Sequence, residues 1–328
     1  MYGTSRHHWQ EYLIEAAGLG TFMISASVFT ILLMYPASPV AHWIVNPIWK
    51  RAVIGIAMGS TAIALIYSPW GKRSGAHFNP SVTIAFFGLG KIAPGDAFLY
   101  IVSQFTGAVT GVLLCAVFLR PWISDSRVNY VVTAPGPKGN SMALVSEFAI
   151  SFLLMMMVLV FSNNKRLAGF TGIFAGTLIA TYITVEAPLS GMSMNPARTF
   201  GSALPAHMWE GWWIYFSAPP LGMLAAAGTY VKLVGAQKVI CAKLHHGAGE
   251  RCIFKCGYRR AHAELNSPPT LHPLEQKRRF VRRERRVEQE NANHELTETT
   301  DHNYSLRCPK SWAHQDSTFG MTNQPTLR

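Results

Sequence analysis

Apolar residues along this chain gather into six long runs, at roughly 12–34, 51–68, 97–119, 142–161, 167–187 and 211–231. Each approaches the ~20 residues that a helix needs to cross the hydrocarbon of a bilayer. Gly, Ala, Ser and Thr are frequent in all six, as close helix approach in lipid requires. A soluble bundle of buried helices is the competing reading. Six such runs with the charges gathered between them argue against it, and the pattern predicts an all-α membrane protein.

Two stretches break the pattern. Residues 74–82 read SGAHFNPSV and residues 190–198 read SGMSMNPAR. Asn is a favoured N-cap, because its side-chain oxygen accepts from the N2 or N3 backbone N–H. Proline suits N1, where its missing N–H costs nothing. Asn79-Pro80-Ser81 and Asn195-Pro196-Ala197 are therefore expected to start two short helices, their small third residues letting the helix starts abut. The residues beyond, VTIAFFGLG and TFGSALP, suffice for half a membrane crossing. Irregular backbone at that depth is tolerated only where it lines a cavity or is covered by protein.

Two consequences are expected. With its oxygen used as a cap, each Asn has its NH₂ left to face the lumen as a donor. Both half-helices also aim positive dipole ends at one point. Such a pore suits a neutral solute with an acceptor oxygen and opposes cations and protons.

Three full runs separate Asn79 from Asn195, so the two broken segments enter from opposite faces. Glu15 and Glu147 each sit in the first run of a half. The chain thus reads as an inverted-topology repeat, span–span–re-entrant loop–span, with its site near the midplane. The two carboxylates are expected to hold the loops through spare backbone N–H groups; a proton relay is the alternative. Arg198 follows the second Asn-Pro at N3. An arginine at membrane depth is a functional candidate by default, and a snorkelling interfacial arginine is the other reading.

Charge refines orientation. The net charge is +12, of which +7 falls from Lys232 onward and +5 before it. With most of the charge on a tail, it gives no ground for a nucleic-acid partner. Lys72, Arg73, Lys91, Lys165 and Arg166 fall on one side of the spans, and Lys50, Arg51, Arg120, Arg127 and Lys138 on the other. Adding the tail tips the balance to both termini in the cytoplasm of a multi-pass cell-membrane protein. The start MYGTSRHHWQEYLIEAAG does not read as a cleaved signal peptide. Five scattered cysteines, Cys115 among them in an apolar run, give no disulfide framework.

The paired boxes SGAHFNPSVT and GMSMNPARTFGSA, with Glu147 before FAISF, Gln104 in YIVSQFTGA and Pro219 in the last run, resemble the aquaporin (major intrinsic protein) family over about residues 10–232. The resemblance implies six transmembrane helices plus two re-entrant half-helices, and a homotetramer of right-handed bundles in which each protomer carries its own pore. It also implies passage of water, and in some members glycerol or other small neutral solutes, without a cofactor. Carried over by position, Asn79 and Asn195 resemble the midplane asparagines and Arg198 the constriction arginine. Ile183 and Met192 fall at further filter positions, and the remaining one falls on Met58 or Gly59. Glu15, Glu147 and Gln104 resemble the loop supports. Three departures stand out. Ser81 replaces the usual Ala and is expected to bond back to its half-helix. Ile183 stands where water-selective members often carry His. Thr199 stands where glycerol channels usually have Asp.

The expected organisation is a short N-terminal segment (1–10), a channel domain (11–233, with halves about 11–120 and 141–233) and a basic cytoplasmic tail (234–328). In the tail, Cys252, Cys256, His245, His246 and His262 are spaced closely enough for Zn²⁺, although no metal is assigned from sequence. Cys241 could instead be palmitoylated. EQKRRFVRRERRVEQE reads as a solvated helix or a lipid-binding run, and the stretch after it as disordered. A coupled transporter and a tail-driven scaffold or sensor remain as alternatives. The first needs a titrating carboxylate facing the lumen, and the second needs neither Asn pair nor Arg198.

Overall fold

The computed structural model describes residues 8–246 and 252–258, with 278, 281–286 and 288–289 further along; the rest of the basic run, His262 and the last stretch lie outside the described residues. The chain divides into two units, Met1–His262 and Ala263–Arg328, and the described residues of the second are helical.

The helices in chain order are α1 (Trp9–Met34), α2 (Pro39–Trp43), α3 (Pro47–Tyr67), α4 (Pro69–Ser74), α5 (Pro80–Gly88), α6 (Pro94–Phe118), α7 (Gly139–Ser162), α8 (Thr171–Val185), α9 (Ala187–Ser190), α10 (Pro196–Ala206) and α11 (Trp212–Val234). No strand occurs among the described residues. Six of these helices are the predicted spans. Several start about three residues before their apolar run, because a proline at N1 begins the helix before the apolar residues do, as at Pro47 and Pro94. Five spans are long and apolar enough to cross a membrane. The sixth, α11, is 23 residues long, but Pro219 and Pro220 lie within it and lower its apolar character.

The packing is two-fold in pattern. Helix α1 lies against α6 as α7 lies against α11, α3 packs against α8, and each half-helix crosses to the other half, α10 onto α6 and α5 onto α11. The glycines show how close these crossings are. A Cβ at Gly176 of α8 would stand 2.5 Å from the Gly59 carbonyl oxygen of α3, and one at Gly222 of α11 would stand 2.5 Å from the Phe148 carbonyl oxygen of α7. Only a residue without a side chain lets backbones approach so closely.

The outer surface is apolar, with Ile56, Phe98, Val117, Leu153 and Leu221 exposed along the spans. Trp9, Trp43, Trp49, Trp70, Trp122, Trp209, Trp212 and Trp213 are exposed near the ends of the spans. That arrangement matches an apolar band with an aromatic belt at each membrane–water boundary.

Candidate functional site

Each re-entrant loop turns by the same device. Gly75, Ala76 and Phe78 have φ of 100°, 57° and 46°; Gly191, Met192 and Met194 have φ of 78°, 52° and 54°. Non-glycine residues at positive φ store strain that the surroundings must hold, and here a buried carboxylate holds it. Glu15 Oε1 accepts from the Ser74 hydroxyl at 2.7 Å and the His77 N–H at 3.2 Å, while Oε2 accepts from the Phe78 N–H at 2.6 Å. In the other half, Glu147 Oε1 accepts from the Ser190 hydroxyl at 2.8 Å and the Ser193 N–H at 2.6 Å. Its Oε2 accepts from the Met194 N–H at 2.7 Å. Tyr100 and Tyr215 donate to the Ser74 and Ser190 carbonyls at 2.7 and 2.5 Å. Gln104 Nε2 donates to Glu15 Oε2 at 2.9 Å and to Thr83 Oγ1 at 3.1 Å.

The half-helices α5 and α10 begin at Asn79 and Asn195, whose backbones are extended. Asn79 Oδ1 accepts from the Ser81 N–H at 2.8 Å; Asn195 Oδ1 accepts from the Ala197 N–H at 3.0 Å and the Arg198 N–H at 3.2 Å. Pro80, Pro196, Ser81 and Ala197 are buried at the helix starts. The amide nitrogens depart from expectation. Asn79 Nδ2 donates to the Met194 carbonyl at 2.7 Å, and Asn195 Nδ2 returns the bond to the Phe78 carbonyl at 2.8 Å. One N–H of each NH₂ thus ties the two loops together and one is left over.

A single cavity of about 350 Å³ runs past these groups. Its lining follows α3 from Arg51 to Ile66, sixteen residues whose fifteen rises span about 22 Å of helix. Asn79, Asn195, Arg198, Ile183, Met192 and Met58 all line it, with His77, Arg127, Val131, Leu154 and Val158. Among the described residues the lining contains no Asp or Glu. Arg198 Nη1 is buried with no hydrogen-bond partner among the described residues.

Of the two residues that sequence offered for the α3 filter position, Met58 lines the cavity and Gly59 does not. The Gly59 Cα faces the Gly176 backbone in the α3–α8 crossing, where a side chain has no room. Ser81 also corrects its expectation. Its hydroxyl is buried with no partner among the described residues, and Thr83 instead bonds back to the Asn79 carbonyl at 3.2 Å. The Thr199 hydroxyl lies 2.6 Å from that of Ser193 and 2.8 Å from that of Thr133, so it braces the loop.

His77 was not singled out from sequence. Its Nε2 lies 2.8 Å from the Ala242 carbonyl, which can only accept, so this nitrogen carries the proton; Nδ1 lies 3.1 Å from Thr83 Oγ1. The ring stacks between Phe86 and Phe254 at 5.3 and 5.4 Å. The partners Ala242 and Phe254 belong to the segment after α11, which no local signal connects to the loop. Leu244 of that segment donates its N–H to the Gly75 carbonyl at 3.1 Å, and its side chain joins the cavity lining.

Six long helices with two half-helices meeting nose to nose, around a cavity spanning much of their length, define a multi-pass integral membrane protein of inverted-repeat design. The family model "Major intrinsic protein" matches residues 4–230, and the chain belongs to that family. It is 36% identical over 181 residues to a probable NIP-type aquaporin of Nicotiana alata, covering 54% of this chain and 64% of that protein. It is 36% identical over 184 residues to the probable aquaporin AqpM of Archaeoglobus fulgidus, covering 54% and 74%. The chain thus spans less than two thirds of the Nicotiana protein's length. The X-ray structure of the aquaglyceroporin from Plasmodium falciparum shares the fold at a TM-score of 0.58 and 19% identity, over 70% of this chain and 98% of that one.

Proposed function

We propose that this chain is a passive transmembrane channel for water and small neutral solutes. The observation that carries the reading is the continuous cavity in which two asparagine amides and Arg198 stand without a carboxylate. The leftover amide hydrogens and the two half-helix N-termini offer positive potential at mid-depth. A solute oxygen can accept there, while cations and protons meet an unfavourable field. Arg198, Ile183, Met192 and Met58 form the narrow filter. Glu15, Glu147 and Gln104 keep the strained loops in place and conduct nothing, because their acceptors are committed to loop donors. The protein acts as a conduit in the cell membrane, with both termini cytoplasmic, and assembles as a homotetramer with one pore in each protomer.

A second reading within the same fold is a facilitator of glycerol or similar solutes. It is favoured by the apolar side chains of Ile183, Met192 and Met58 in the lining. Stopped-flow light scattering on proteoliposomes separates the readings. Acceleration under a sucrose gradient reports water, and acceleration under a glycerol gradient reports the solute. Rates equal to empty liposomes in both would overturn the channel and leave a scaffold acting through its tail.

A further inference from the structure

Cys241, the residue read from sequence as a candidate for lipidation, is buried at 2% exposure and faces the protein. Its Sγ lies 3.5 Å from Cys252 Sγ, and Cys256 Sγ lies 3.3 Å from His246 Nε2. These four ligand atoms all fall within 4.8 Å of one another. Tetrahedral zinc with Zn–S bonds of ~2.3 Å has ligand–ligand edges of about 3.8 Å, so the cluster has the right size before any metal is placed. Of the sequence-proposed ligands, His245 packs its ring against Tyr67 at 5.1 Å, outside the cluster.

We propose that Cys241, His246, Cys252 and Cys256 form a structural Zn²⁺ site that fastens residues 239–246 and 252–258 across the Lys72 end of the pore. Three thiolates and one neutral imidazole make a closed Cys₃His set, with no position kept for substrate. Soft sulfur ligands in tetrahedral array select zinc over harder divalent ions. Three thiolates and Zn²⁺ leave one negative charge. The buried Lys243 brings a positive charge to the same segment, its Nζ anchored on the Lys72 carbonyl at 2.6 Å.

The supports around the ligands are already built. The His246 ring stacks on Tyr258 at 4.4 Å, and the Gly257 N–H donates to the Ile240 carbonyl at 2.8 Å. The segment is joined to the membrane helices by the Ile240 N–H to Asn163 Oδ1 at 2.6 Å, the Lys255 N–H to the Lys91 carbonyl at 2.9 Å, and the Tyr258 hydroxyl to the Ser162 carbonyl at 3.2 Å. Few of these residues lie in regular structure. A short irregular segment has little core of its own, and a metal cross-link supplies the missing constraint. What the site holds in place is functional geometry: Ala242 on His77, and Leu244 in the cavity wall.

The test uses the full chain purified in detergent under reducing conditions, with metal content read by elemental mass spectrometry. We expect about one zinc per chain, falling below about a tenth in Cys252→Ser and Cys256→Ser. Cys256→His keeps a ligand and is expected to retain the metal, and Cys115→Ser should retain it as a control. Replacing zinc by Co²⁺ should produce thiolate charge-transfer absorption. Stripping the wild-type chain with a chelator should speed amide exchange at Leu244 and Gly257 about tenfold or more, while α1 and α6 stay protected. A metal-free wild-type chain, metal retained by both serine variants, or a Cys241–Cys252 disulfide in its place would overturn the site. The chelator arm needs no substitution, so a variant that fails to fold leaves the proposal decidable.

Discussion

Asn79 donates its side-chain amide to the backbone carbonyl of Met194, 2.7 Å away and 115 residues further along the chain. Its oxygen meanwhile caps its own half-helix through the Ser81 N–H. One side chain thus does two separable things, and Asn79→Asp separates them. The carboxylate keeps the cap but places a negative oxygen against the Met194 carbonyl. We expect a loss of about 1–3 kcal/mol in stability, the usual cost of an unmatched buried polar group, read as a lower thermal transition in detergent. A cation leak in dye-loaded proteoliposomes should accompany it, because the central positive field is weakened. A transition and a leak both at wild-type values would show that the cross-loop bond is dispensable.

Arg198 lines the cavity at N3 of α10, with one guanidinium nitrogen buried and without a partner among the described residues. Arg198→Val removes both its bulk and its charge from the wall. The expected outcome is a several-fold rise in glycerol or urea flux relative to water flux. An unchanged solute ranking by stopped-flow scattering would put the constriction elsewhere.

How far the sequence reaches can be judged residue by residue. The spans, the half-helix starts and the carboxylates at Glu15 and Glu147 were legible, because length, local capping chemistry and isolated charges within apolar runs are local signals. The bond from Asn79 to Met194 was not, since it depends on two loops meeting from opposite ends of the molecule. An apparent insertion around SPWGKR shifts the register by one residue, so sequence left Met58 and Gly59 open; Met58 lines the cavity, whereas Gly59 faces the Gly176 backbone. The segment VICAKL after α11 is too short and aperiodic to announce a cap over the pore. Cys241 therefore read as a membrane-proximal thiol rather than a neighbour of Cys252.

Ser81 has a fully buried hydroxyl with no partner among the described residues, at the position where Ala197 stands in the other half. An unpaired buried hydroxyl is unfavourable by about 1–3 kcal/mol, and alanine at N2 preserves the cap from Asn79. Ser81→Ala is expected to raise stability by about 1 kcal/mol, with water flux within twofold of wild type. The measurement is the thermal transition of the purified variant. A lowered transition would mean that the hydroxyl bonds to a pore water and contributes to the wall.

Among the described residues Leu244 is the one cavity-lining residue drawn from beyond α11, and it is held there by its own N–H on the Gly75 carbonyl and by the neighbouring Ala242–His77 bond. At 6% exposure its side chain fills wall that no membrane helix supplies. Leu244→Ala leaves both backbone bonds intact and removes only the side chain. Truncating a buried leucine costs about 2–5 kcal/mol in a well-packed core. A residue that faces a conduit has packing on one side only, so the loss should fall at the lower end of that range. Water permeability per channel, from stopped-flow scattering normalised to protein content, is expected to rise severalfold because the mouth at this end widens. Leu244→Phe should reduce it for the converse reason. Equal permeability in both variants would show that the narrowest point lies at Arg198 alone and that the cap restrains the loop without limiting flow.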